Sequence, residues 1–95
     1  MTQTWYTSTI VCMNKTPFNE LIEALLEVSS QKEMSDFLRG ILTPQELEEI
    51  PTRLQIVKML KAGKPQHEIA RLLGVGVATV TRGSKELQKG RFYNV

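Results

Sequence analysis

Residues 66–84 read Gln66-His67-Glu68-Ile69-Ala70-Arg71-Leu72-Leu73-Gly74-Val75-Gly76-Val77-Ala78-Thr79-Val80-Thr81-Arg82-Gly83-Ser84. This is the pattern of two short helices around a glycine turn, a helix-turn-helix whose second helix suits the DNA major groove. Ile69 and Leu73 stand four apart on the first helix. Val80 and Leu87 stand seven apart on the second, and these four residues are the expected shared core. Ala70 falls where the helices cross, where a larger side chain would push them apart. Gly74 ends the first helix because it adopts φ > 0 without a Cβ penalty. Val77, Ala78 and Thr79 open the second helix and are small enough to approach base edges closely.

The charge distribution agrees with that pattern. Residues 1–52 carry three basic and eight acidic side chains, a net of −5. Residues 53–95 carry nine basic and two acidic ones, a net of +7. The basic half holds the helix-turn-helix, and a phosphate backbone favours such asymmetry because each bound cation displaces a condensed counterion. The alternative is an unevenly charged solvated surface.

At 95 residues the chain has the length of one domain, and 41% hydrophobic residues is too many for a disordered one. A domain of this size often completes its core by oligomerising. No run approaches the roughly 18 apolar residues of a membrane span. Cys12 is the single cysteine, so no disulfide and no cysteine-based metal cluster forms within one chain. A reducing cytoplasm is the expected location.

Upstream of the reading head the chain reads as helices. Residues 1–15 lack the charged start and small-residue cleavage site of a signal peptide. They are expected to be a disordered tail carrying Trp5, with Met13 an alternative start. A first helix is expected from Pro17 with Thr16 as cap, its apolar stripe being Phe18, Leu21, Ile22, Leu25 and Leu26. Glu20, Glu23 and Glu27 read as its solvated face, since no His or Cys joins them to make a metal site. A second helix opens with the capping-box spacing Ser30-Gln31-Lys32-Glu33, repeats Met34, Phe37, Leu38 and Ile41, and ends by about Leu42. A third opens with Thr43-Pro44-Gln45-Glu46, a second capping box, and carries Leu47, Ile50, Leu54, Val57 and Leu60 as its apolar positions. Pro51 predicts a kink or break near residue 50, because it lacks an N–H and its ring meets the Leu47 carbonyl. Gly90 ends the recognition helix. Residues 16–95 thus read as one all-α domain, with dimerisation helices over 16–62 and the helix-turn-helix over 65–89.

Three further groups of residues bear on the family: Leu42-Thr43-Pro44, Thr52-Arg53-x-x-Ile56-Val57, and the run from Gly74 to Ser84. A generic helix-turn-helix does not require Thr81-Arg82-Gly83-Ser84, and the upstream groups fall at matching distances. On these motifs, over roughly residues 18–90, the chain resembles the Trp repressor family. The resemblance implies an all-helical bundle and an intertwined homodimer, with two reading heads on successive major grooves of a near-palindromic operator. It also implies L-tryptophan as corepressor, bound between core and head, with Arg53 and Arg82 sandwiching the indole and one of them holding the carboxylate. Guanidinium planes suit both tasks. Gly83 would leave room beside the ring, while Gly40, Leu42 and Thr43 of the partner chain would offer backbone carbonyls to the amino group. The alternative role of both arginines is a phosphate contact or a helix cap.

Four features depart from the pattern. Pro51 precedes Arg53. Glu86 stands where ligand-binding members carry a serine near the amino group, and there it either strengthens that contact or closes the pocket. The connection after Gly63 is one residue shorter. The final helix of the well-known repressors is missing, which places the chain in a shorter branch where tryptophan dependence does not follow automatically.

Among side chains that would meet DNA, Val77, Ala78, Thr79 and Thr81 are the base-facing candidates. Gln66 and His67 begin the preceding helix, where backbone N–H groups favour phosphate. Lys64, Arg71, Lys85, Lys89 and Arg91 are candidates for backbone contacts, which position without reading sequence. His67 lacks companion metal ligands, and Ser84 lacks the His and acid of a nucleophile, so no enzyme is expected. The functional readings are a repressor requiring an aromatic amino acid, a regulator of the same fold needing none, and a protein-interaction module. A recombinase fragment is disfavoured because no catalytic constellation appears.

Overall fold

The computed structural model describes residues 16–95; the expected tail, Trp5 and Cys12 lie outside them. The described residues contain five helices and no strand: α1 (Pro17–Leu26), α2 (Gln31–Ile41), α3 (Pro44–Lys61), α4 (Gln66–Leu73) and α5 (Val77–Gln88). They fall into two compact units that meet in sequence between Ile41 and Leu42.

The first unit holds α1 and α2. Thr16 caps α1 by accepting a hydrogen bond from the Asn19 N–H at 3.1 Å, with Pro17 at the first helical position as expected. At the start of α2 the structure departs from the expected box. Ser30 does accept from the Glu33 N–H (3.1 Å), but the Glu33 carboxylate reaches one residue further back. It accepts from the Ser29 N–H (2.9 Å) and the Ser29 hydroxyl (2.6 Å). Two donors on one residue outcompete the single N–H of Ser30. Neither helix contains a buried residue. The apolar stripe is present but lies open, Phe18 being 67% and Leu26 79% exposed.

The second unit is built on α3, α4 and α5. The Thr43 hydroxyl accepts from the Glu46 N–H (3.2 Å) and the Glu46 carboxylate accepts from the Thr43 N–H (2.9 Å), a complete capping box. The helix then runs through Pro51 to Lys61, so of the expected kink or break the break does not occur. It is secured on both sides of the proline, by the box at its start and by buried Ile56 and Val57 beyond. Its apolar residues do not form one stripe. Ile50 and Leu54 remain over 40% exposed, whereas Ile56, absent from the expected apolar set, is 1% exposed.

Ile56, Ile69, Ala70 and Val80 form the core, with Met59, Leu60, Leu73 and Val75 packed around it. Full burial of an aliphatic side chain is worth about 1.5–3 kcal/mol, so these few residues hold the three helices together. Leu73 is half-buried at its margin, and Leu87 is half-buried outside the cluster. Gly74 ends α4 in the left-handed region at φ 67°. The Val75 N–H then returns to the Ala70 carbonyl at 3.0 Å, and Val75 folds onto the core, the closure of a Schellman-type end.

Candidate nucleic-acid interface and effector groove

The reading head exposes what the sequence assigns to base edges. Val77 is 51% exposed, and Ala78 and Thr79 are exposed beside it on the first turn of α5. Behind them Val80 is fully buried, so the turn cannot roll away from solvent without emptying the core. His67, Arg71 and Lys85 are exposed. Thr81 and Gln66 differ from this group. Both are half-buried, and the Thr81 hydroxyl donates to the Gln66 side-chain oxygen at 2.8 Å. They tie α5 to the start of α4.

The helix starts of the head share a chemistry. The residues preceding α4 and α5 are Pro65 and Gly76, and neither start has a side-chain cap. The Glu68 and Ile69 N–H groups turn back to Pro65, and that of Thr79 to Gly76. The first amides of each helix thus remain donors for an outside acceptor. Such a terminus favours anions.

Several cations expected at phosphates have partners of their own. Lys64 lies 3.7 Å from Glu68. Lys89 (3.0 Å) and Arg91 (3.3 Å) both meet the Glu86 carboxylate. All three cations are exposed, so each pair is worth at most about 1 kcal/mol and yields readily to a phosphate.

Beside the recognition helix lies a groove of about 810 Å³ between α3 and α5. Arg53 of α3 and Arg82, Gly83 and Glu86 of α5 line it together. Ile50, Leu54 and Phe92 supply apolar lining that sequence reasoning did not assign. Ala78 and Thr79 border the same groove, so its contents touch the first turn of α5. A Cβ on Gly83 would lie 3.1 Å from Ile56 Cγ2; the glycine lets α5 approach α3, besides any room it leaves for a ring. Hydrogen bonding from Lys89 holds the Glu86 carboxyl below its ordinary value, against an opposing effect of burial, with the charges of Lys89 and Arg91 adding to it. Of the residues assigned to the partner's side of the pocket, Gly40 is exposed in the last turn of α2, where carbonyls lack an intrahelical partner. Leu42 is half-buried and Thr43 exposed. The Thr43 carbonyl accepts from the Leu47 N–H at 2.9 Å.

A family model described as Trp repressor protein matches residues 16–92. The chain belongs to the Trp repressor family. It is 36% identical over 74 residues to a Trp operon repressor homolog of Vibrio vulnificus, covering 77% of this chain and 72% of the relative. It is 43% identical over 70 residues to a Vibrio parahaemolyticus protein of the same name, covering 73% and 65%. The homolog of Actinobacillus succinogenes is 37% identical over 79 residues, covering 82% and 78%. No solved structure matches the chain. Membership makes the chain a DNA-binding transcriptional regulator of the Trp repressor type and not an enzyme. The all-helical fold agrees with it. Among the described residues no helix is long and apolar enough to cross a membrane, and no group of His, Cys, Asp and Glu suits a metal ion.

Proposed function

We propose that this member of the Trp repressor family is a cytoplasmic repressor that binds a near-palindromic DNA operator as an intertwined homodimer. The carrying observation is the exposed turn Val77-Ala78-Thr79, fixed from behind by buried Val80 and flanked by two uncapped helix starts. In this reading Val77, Ala78 and Thr79 meet base edges, and the free amides of Gln66 and His67 take a phosphate. Arg71 and Lys85 add backbone contacts, and Thr81 acts through its bond to Gln66. The open stripe of α1 supports the dimer. Phe18 and Leu26 leave most of their apolar surface uncovered in their own unit, and a second copy is the partner present at matching concentration.

The groove beside the turn is the effector site in this reading. Arg53 and Arg82 hold the carboxylate and face of an aromatic amino acid, L-tryptophan as the family suggests, with Gly83 and Glu86 beside it. Gly40, Leu42 and Thr43 of the partner chain complete the site. A second reading, a regulator needing no small molecule, draws support from Glu86, whose carboxylate is already engaged by Lys89 and Arg91.

Fluorescence anisotropy on a duplex selected from a random-sequence library, with and without L-tryptophan, decides among these readings. Tighter binding with ligand is expected, together with steep weakening by salt. Binding that ignores millimolar tryptophan establishes the second reading. Affinity indifferent to salt favours a protein-docking module.

A further inference from the structure

Lys61, the last residue of α3, has a role that its sequence position gave no reason to expect. Its ammonium donates to the main-chain oxygens of Phe92 and of Val95, the latter at 2.8 Å. Residues 91–95 follow the recognition helix after Gly90, whose φ of 84° redirects the chain. They form a closed turn. The Arg91 N–H returns to the Glu86 carbonyl (3.3 Å) and the Val95 N–H to that of Phe92 (3.2 Å). Arg91 Nε also meets Glu86 Oε1 at 3.3 Å. Phe92 lines the groove beside Arg82, Gly83 and Glu86.

We infer that Lys61 is a positioning residue for DNA binding, latching the segment Arg91–Val95 and thereby fixing the angle of the recognition helix on α3. Val80 in the core, the Thr81–Gln66 bond and the close approach of Gly83 to Ile56 all hold the first seven residues of α5, and none of them holds its last turn. The latch supplies a second attachment at the far end of α5. With 12 residues and 1.5 Å of rise per residue, α5 is about 18 Å long. A small rotation at the latched end therefore displaces Val77 and Thr79 at the other end by a comparable amount. Base contacts tolerate little such movement. Lys61 itself is not a phosphate ligand in this account, because its donors are already directed at two main-chain oxygens of its own chain.

The inference rests on the DNA-binding reading, and its test keeps the two apart. Lys61→Met retains the apolar stem and removes the donors, and Lys61→Arg restores donors. In hydrogen exchange the Lys61→Met protein is expected to lose protection at the Arg91 and Val95 amides. Its affinity for the duplex that the wild type selects is expected to fall about two- to tenfold, the size of one net hydrogen bond. The slope of log affinity against log salt stays at the wild-type value, and Lys61→Arg recovers most of the affinity. Unchanged exchange at both amides overturns the latch. Unchanged affinity overturns the positioning role. A slope shallower by about 0.9 overturns it too, because that is the signature of a lost phosphate contact. A wild type that selects no duplex overturns the DNA-binding reading alone, and the exchange comparison still decides the latch.

Discussion

The helix starts along the chain are of two opposite kinds. In residues 16–46 a side chain covers each start: Thr16 bonds to Asn19, Ser30 to Glu33, and Thr43 to Glu46. In the reading head the starts at Pro65 and Gly76 are bare. Burial divides them differently. The capped helices α1 and α2 bury nothing, whereas capped α3 carries buried Ile56 and Val57 and the bare helices carry fully buried Ile69 and Val80. Local caps stabilise a helix that has yet to find a packing partner. A helix pinned by a core can leave its N–H groups unpaired and offer them to an anion. In the proposed reading α1 and α2 await a partner chain, and the bare starts of α4 and α5 meet phosphate.

The largest expected effect tests the packed side. Ile56→Ala should destabilise the second unit by about 2–5 kcal/mol, since Ile56 touches both α5 and the core. Denaturant unfolding measures it, and a loss under 1 kcal/mol would mean the three helices do not depend on one another. Next comes the open side. Leu26→Ala should weaken self-association by about 1.5–3 kcal/mol per chain if that side chain is covered in the dimer. Sedimentation equilibrium reads this, and an unchanged dimer constant excludes Leu26 from the interface.

Two smaller changes act on the caps themselves. Thr43→Ala removes half of a complete capping box and should cost about 1 kcal/mol of stability. Gly76→Asp does the converse. A capping side chain in place of glycine should stabilise the helix by only a few tenths of a kcal/mol. Yet it occupies the free donors and sets a negative charge where phosphate would lie, so DNA affinity should drop while the melting temperature holds or rises. Stability and binding moving in the same direction would remove the contrast between the two kinds of start.

What the sequence made legible follows the same division. Thr16, Thr43 and Gly74 act within a few residues of themselves, so their roles could be read from spacing. The burial of Ile69, Ala70 and Val80 followed from helical period and the turn. The residues that escaped reading depend on distant neighbours. Ile56 lies off the stripe that Leu47, Ile50, Leu54 and Val57 suggest, and only the approach of Gly83 shows why it is buried. Pro51 looked like a break because the local cost of proline was visible and the anchoring on either side was not. The Thr81–Gln66 bond joins positions 15 apart, and Lys61 reaches residues 31 and 34 further on. Of the groove, Arg53 and Arg82 were legible through the resemblance alone, since nothing local brings two arginines on separate helices to one cavity.

The smallest expected effect separates two glutamates by salt. Glu33 and Glu86 both have carboxyls held below the ordinary value. A depressed value in the folded state means that each contributes stability fully present above the unfolded value and lost as pH falls through the folded one. The causes differ. Glu33 is held first by the Ser29 hydroxyl and then by backbone N–H groups, all neutral donors. Glu86 is held first by the Lys89 ammonium, with Arg91 adding hydrogen bonding and charge. Mobile ions screen attraction between exposed charges and leave neutral hydrogen bonds nearly untouched. Raising salt from about 0.01 to 1 M, over which the screening length shrinks about tenfold, should therefore move the Glu86 titration up toward the ordinary carboxylate value. Glu33 should stay in place. Carbon-13 NMR of the side-chain carboxyls follows both in one sample. Equal movement of the two would show that Glu86 is held by the same neutral bonding as Glu33. Its cations would then be free for DNA, and the latch at the end of the recognition helix would stand on Lys61 alone.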